Sequence, residues 1–268
     1  MKRQTRGDSK YLWKDGVNYN FDEKATTDVI NVGEWDKLCA SDIGKVGGPQ
    51  NMSLGKGCDL FGHAAHEIGH ALGLHHTQIR YDRDDYITIN WENIELANIN
   101  YSESNTTNST MTTKKDNYMG TLGSPMISFI DLSMINEHYD CKRRCVKAGT
   151  KCKNGGFPHP RNCSICICPG GYGGRLCDER PDDLGDVLNA TDNWKHLYMT
   201  HYNLHNDTDY LKRTYWIKPS SEKVKIEVMM TLINRDLDVE GCVLADVEIK
   251  TNEDQTVTGH RVRREADV

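Results

Sequence analysis

Residues 66–76, HEIGHALGLHH, constrain this chain more than any other stretch, because they set three imidazoles and a carboxylate at spacings that one local fold can use. His66 and His70 are four apart, so on a helix they project from one face, one turn above the other, and can reach a single metal ion. His76 must come from beyond the helix end. Gly73 permits this, since a residue without Cβ takes positive φ and turns the chain sharply back. Three nitrogens leave zinc one open position, and a catalytic zinc keeps that position for water, whose pKa it lowers to about 7. Glu67, beside the first ligand, is placed to take that water's proton and later pass it to a leaving amine. The five fixed positions H-E-x-x-H-x-x-G-x-x-H arise by chance in a chain of this length about once in 10⁵, so a fortuitous histidine-rich surface helix is set aside. The pattern implies hydrolysis of peptide bonds. His63, one turn before His66, and His75, just before His76, read as pocket or surface imidazoles, with spare ligands as the alternative.

The surrounding residues narrow the expectation. Residues 62–73, 80–94 (RYDRDDYITINWENI) and 43–57 (IGKVGGPQNMSLGKG) resemble the astacin family of metzincins, most of all nematode astacins with appended modules. That resemblance implies an α+β fold: a metzincin-like catalytic domain with a twisted mixed sheet and a zinc-binding active-site helix. It implies one Zn²⁺ per chain on His66, His70 and His76, Glu67 as catalytic residue, and protein or peptide substrates. Residues 43–57 are expected to supply the edge strand and following turn that pair with an extended substrate, the peptide lying along the strand near 43–54.

Three departures from the family pattern stand out. Astacins close the zinc site from below with S-x-M-H-Y, which is missing here. Ser109-Thr110-Met111 is followed by Thr112 and Thr113, and Thr110-Met111 better resembles a later strand; Tyr118-Met119 is a stand-in by residue type only. Loss of one preorganised oxyanion donor costs roughly 10²- to 10³-fold in turnover, and loss of the floor under the metal also loosens its ligands. Thr77 stands where astacins carry a glutamate that binds the mature amino terminus, and the segment between Trp35 and Ile43 is short. The rival reading is therefore a catalytically inactive, zinc-binding extracellular interaction protein; a third is an incomplete gene product that does not fold.

Cysteines and composition set the domain plan. Only 37% of the 268 residues are hydrophobic and Phe occurs four times, so the apolar supply is thin and the ten cysteines read as staples. The expected parts are 1–10, a remnant of a propeptide junction; 11–140, a truncated astacin-like peptidase domain; 141–179, an EGF-like module; and 180–268, a degenerate CUB-like β-sandwich. The resemblance implies disulfides Cys39–Cys58, Cys145–Cys163, Cys152–Cys166 and Cys168–Cys177, with zinc binding by the second cysteine group as the alternative. Cys141 and Cys242 are left without assigned partners. In the last region 213–218, 224–228, 241–250 and 258–262 read as strands, 224–228 by its alternation; the alternative there is a β-rich tail with no binding role. Net charge is −6 with mixed signs, which argues against nucleic acid, and no apolar run of membrane-spanning length occurs.

Disulfide-type spacing implies an oxidising, extracellular setting. Seven N-x-S/T sequons, at Asn51, Asn100, Asn105, Asn108, Asn162, Asn189 and Asn206, agree with it. The first residues, MKRQTRGDSKYLW, hold no apolar signal core, and Lys2-Arg3-Gln4 resembles the dibasic junction at which nematode astacins lose their propeptide, so the secreted precursor is expected to start upstream. Among local elements, 17–21 and 43–54 are expected as strands, 61–74 as the active-site helix, and 98–117 as a glycosylated loop. Residues 127–139 are expected as a helix with a core stripe of Ile130, Leu132, Met134, Ile135 and Tyr139.

Overall fold

Apolar and β-branched residues at 29–33 form the middle of a mixed sheet on which the histidine-bearing helix rests. The structure, a computed structural model, describes residues 5, 8–20, 28–35, 37–58, 60–94, 109–198, 211–221, 223–231, 245–262 and 266–267. Strands β1 (Tyr19–Asn20), β2 (Val29–Gly33), β3 (Cys39–Ser41) and β4 (Pro49–Leu54) lie in the order β1-β2-β4-β3. The first three of that order run parallel and β3 runs antiparallel to β4. Alternation along β4 sends Gln50 and Met52 inward and leaves Asn51 exposed. Trp13, Ile30 and Met52 meet Ala71 of helix α1 (Phe61–Ala71) in the core, with Val32, Leu54 and Tyr139 packed around them.

The substrate-pairing edge differs from expectation. Strand β4 is bonded on both sides, and among the described residues the sheet ends at β3 on that side and at β1 on the other. Residues 43–48 are not strand, because Gly44, Gly47 and Gly48 hold positive φ of 75°, 92° and 70°, which a ladder does not accommodate. Gln50 fixes that loop, donating from Nε2 to the Gly44 carbonyl at 3.0 Å and accepting at Oε1 from the Val46 amide at 3.1 Å. The disulfide Cys39–Cys58 ties β3 to the turn before α1.

Beyond α1 the chain makes β5 (Ile87–Ile89), which pairs antiparallel with β6 (Met111–Thr113), then helix α2 (Phe129–His138). Ser128 starts α2 with a capping box: its Oγ accepts from the Asp131 amide at 3.2 Å and its own amide donates to Asp131 Oδ2 at 2.9 Å. The expected core stripe is incomplete. No residue of α2 is fully buried and Leu132 is 42% exposed, whereas Tyr139, just past the helix, reaches the core.

A stapled hairpin follows. Strands β7 (Phe157–His159) and β8 (Asn162–Ile167) pair antiparallel, and the surrounding sulfurs are bonded as Cys145–Cys163, Cys152–Cys166 and Cys168–Cys177, which leaves none of the six as a thiolate for a metal. Among the described residues Cys141 carries no disulfide, and Cys242 lies outside them. The last region forms separate pairs: β9 (Val187–Asn189) with β10 (Trp216–Lys218), β11 (Met229–Met230) with β14 (Ala266–Asp267), and β12 (Val247–Ile249) with β13 (His260–Val262). Among the described residues these do not stack into a sandwich. Residues 224–228 are not strand either: alternation needs a neighbour to pair with and a face to cover, and Val224 stays 46% exposed. Asn51, Asn162 and Asn189 are exposed, while Asn100, Asn105, Asn108 and Asn206 fall outside the described residues. No helix among the described residues is long and apolar enough to cross a membrane.

Replacing Cys39 and Cys58 together by Ala is expected to lower the unfolding free energy by about 3 kcal/mol, the loop-closure value for a 19-residue separation. Urea unfolding measures it, and an unchanged midpoint rejects the staple as a stabilising element.

Candidate active site

Helix α1 ends where its sequence demands. Gly73 sits at φ +96°, and around it the Leu74 amide bonds back to the Gly69 carbonyl at 2.9 Å and the Gly73 amide to the His70 carbonyl at 2.7 Å. This paired closure swings the Leu74 carbonyl toward the helix, where it meets His70 Nδ1 at 2.8 Å. A carbonyl only accepts, so Nδ1 holds the ring proton and Nε2 keeps its lone pair. Leu74 is itself bridged to Thr5 from the amino-terminal stretch.

The same turn brings His76 back to the helix face. His76 Nε2 lies 2.9 Å from His70 Nε2 and 3.0 Å from His66 Nε2, and the three ligand atoms all lie within 4.8 Å of one another. Tetrahedral zinc with bonds of about 2.05 Å needs nitrogen separations of roughly 3.3 Å, a few tenths beyond those seen, so the set fits that ion with small ring movements. Burial, reinforced by the neighbouring His70, His76 and His63 rings, holds His66 down to about 4. Burial and the adjacent His70 and His75 lower His76 in the same way. Neutral imidazoles are the metal-binding form.

Glu67 is turned about 100° around the helix from His66. Only 4% of it is exposed, and among the described residues its Oε2 has no hydrogen-bond partner. Burial lifts its carboxyl above the ordinary range, against the lowering influence of His70 and His63. A buried carboxylate oxygen without a partner is costly, and a polar ligand at this site would relieve it. His63 is otherwise engaged: its Nδ1 lies 2.9 Å from the Gly57 carbonyl, and neither His63 nor His75 belongs to the ligand cluster.

Tyr118 and Met119, the stand-ins by residue type, serve elsewhere. The Tyr118 ring packs on His260 with centroids 4.4 Å apart and its hydroxyl accepts from Asn252 Nδ2 at 2.6 Å, while Met119 Sδ takes the Thr113 amide at 3.2 Å. Thr77 opens a short 3₁₀ turn, Thr77–Ile79, and offers no carboxylate. Two side chains far apart in sequence support the helix end. Trp13 Nε1 donates to the Ala71 carbonyl at 3.0 Å, and Tyr139 Oη to the Leu72 carbonyl at 3.3 Å. Tyr139 carried a signal as the last apolar residue of a helical stripe; Trp13 carried none locally.

Compared with known families, residues 8–104 match the family model for Astacin, a family of peptidases. The chain is similar to Zinc metalloproteinase nas-31 of Caenorhabditis elegans, 38% identical over 331 aligned positions that take in 99% of this chain and 53% of the relative. It is similar also to Zinc metalloproteinase nas-25 of Caenorhabditis elegans, 33% identical over 91% of this chain and 69% of the relative. Among solved structures it is similar to High choriolytic enzyme 1 (HCE-1), a hatching enzyme zinc-protease from Oryzias latipes, at 24% identity and a TM-score of 0.36 over 51% of this chain and 94% of that one. The chain thus spans about half the length of nas-31. An alignment of 331 positions against 268 residues also means that this relative carries segments with no counterpart here.

Gly73→Ala tests the turn. A Cβ at that φ costs about 1–2 kcal/mol, and loss of the Leu74 contact to His70 is expected to weaken zinc binding about 10- to 100-fold. Competition with a chromophoric chelator reads the affinity; an unchanged value refutes the role given to the turn.

Proposed function

Because the chain belongs to the astacin family of zinc metalloproteinases, we propose that it is a secreted zinc-dependent endopeptidase that hydrolyses peptide bonds in proteins. One observation carries this reading: three Nε2 atoms converge beside a buried carboxyl that has one oxygen open. His66, His70 and His76 would hold Zn²⁺, which when bound supplies Lewis-acid polarisation of the scissile carbonyl and a water nucleophilic near neutral pH. Glu67 takes the proton of the attacking water at its open oxygen and delivers it to the leaving nitrogen. Its raised proton affinity suits a group that must both accept and return a proton. Leu74, through its carbonyl, keeps His70 in the tautomer that presents Nε2.

The substrate is proposed to lie extended along β3, which has one bonded neighbour and rests against α1. Main-chain hydrogen bonds from such an edge bind a peptide without regard to its side chains. The stapled EGF-like part would position the protease or recruit protein partners. Asn51, Asn162 and Asn189 are the exposed candidates for glycosylation in the secretory route.

Two observations favour the rival, an inactive zinc-binding extracellular protein. The Tyr118 hydroxyl is engaged by Asn252 and its ring by His260, and nas-31 has segments with no counterpart here. The two readings separate in one experiment on the oxidatively folded chain. Zinc content and cleavage of a mixed peptide library are measured for the chain and for Glu67→Ala, with and without a chelator. The protease reading expects one zinc per chain, with cleavage falling by at least roughly 10²-fold on Glu67→Ala and abolished by the chelator. One zinc with no cleavage overturns it in favour of the binding protein, and no zinc overturns both.

A further inference from the structure

Every residue of β13 is buried: His260, Arg261 and Val262 are each 8% exposed. A two-stranded hairpin on its own is marginal in water and leaves a face wet. Its cover here is the 3₁₀ segment Asp116–Thr121 and the residues Ser124 and Met126 of the peptidase part. Gly120 comes so near that an added Cβ would stand 2.6 Å from the Arg261 carbonyl oxygen. The Tyr118 contacts with His260 and Asn252 lie along the same seam.

Arg261 is the centre of the contact. Nη1 donates to Ser124 Oγ, and Nη2 lies 3.7 Å from Met126 Sδ, so the guanidinium holds both neighbours of Pro125. Its charge is answered from its own hairpin, with Asp246 Oδ2 at 3.2 Å and Glu248 Oε2 at 3.8 Å from Nε. Pro125 in turn presses on Gly62, where an added Cβ would stand 2.5 Å from Pro125 Cβ and 2.8 Å from its Cα. Gly62 lies one turn before His66 on α1. On the hairpin's other flank, Lys250 Nζ donates to the Gly170 carbonyl of the stapled module at 3.0 Å.

We propose that residues 246–262 are an intramolecular strap: a docking surface whose partner is segment 116–126 of the same chain, held so that Pro125 stays seated on the first turn of the active-site helix. This assigns the hairpin to the peptidase fold and removes it from the surfaces open to an external partner. It stands whether or not the site is catalytically active.

Gly120→Ala in the full, oxidatively folded chain is the test, read by thermal unfolding and amide hydrogen exchange. Gly120 is not one of the positive-φ glycines, so alanine there is neutral or stabilising unless the strap is docked. The strap predicts a lower Tm and roughly tenfold or faster exchange in 116–126, 246–262 and the first turn of α1, with the disulfide-stapled 145–177 unchanged. An equal or higher Tm with unchanged exchange overturns it. Should this variant not fold, the milder pair Tyr118→Phe and Asn252→Ala decides through a double-mutant cycle. The strap predicts that the double variant loses no more Tm than the worse single one, and additive losses overturn it.

Discussion

Four carbonyls at the end of helix α1 find no partner further along the helix, and the peptidase part is assembled around answering them. Gly69 is answered by the Leu74 amide, His70 by the amides of Gly73 and Gly44, Ala71 by the Trp13 indole and Leu72 by the Tyr139 hydroxyl. These donors come from the glycine turn, the loop before β4, the amino-terminal stretch and the end of α2. Each also brings its own surroundings to the same point: Trp13 and Ala71 share the core cluster, and Tyr139 packs against it. The metal site is the outward face of this knot, since His70 is oriented by the residue that closes the helix.

What could be read from sequence follows from how local each signal is. The ligand spacing, Glu67 and Gly73 lie within eleven residues and obey helix geometry, so their relative positions needed no tertiary knowledge. Sequence alone points to 43–54 as the edge of the sheet where the structure has Cys39–Ser41, because strand-like residues on both sides of a glycine loop look alike until pairing is known. At 224–228 the alternation was genuine and meaningless without a partner. The reverse holds at His260, Arg261 and Val262, where an arginine in a short strand conceals a fully buried segment from any hydrophobic pattern.

The buried parts of this chain are held more by placed polar groups and cross-links than by apolar mass. Among the described residues the core cluster has four buried members, one of them an alanine. A core that small excludes little water, and the unfolded chain regains much entropy when it opens. Gln50 holds a loop from inside the sheet, the Ser128–Asp131 box starts α2, and disulfides stand at Cys39–Cys58 and through the module after α2. Such contacts are directional, so the fold is specific where it is not strongly cohesive.

The Tyr139 bond to Leu72 spans 67 residues of chain, with the acceptor made first. At the pace of translation, about 5–20 residues per second, the histidine helix is synthesised roughly 3–13 s before its last carbonyl meets its donor. During that interval the carbonyl of Leu72, one of the four at the helix end, is without its donor. The order of synthesis therefore leaves Leu72 to be answered last, and a ribosome stalled before residue 139 would present the three histidines on a helix lacking one of its four end contacts.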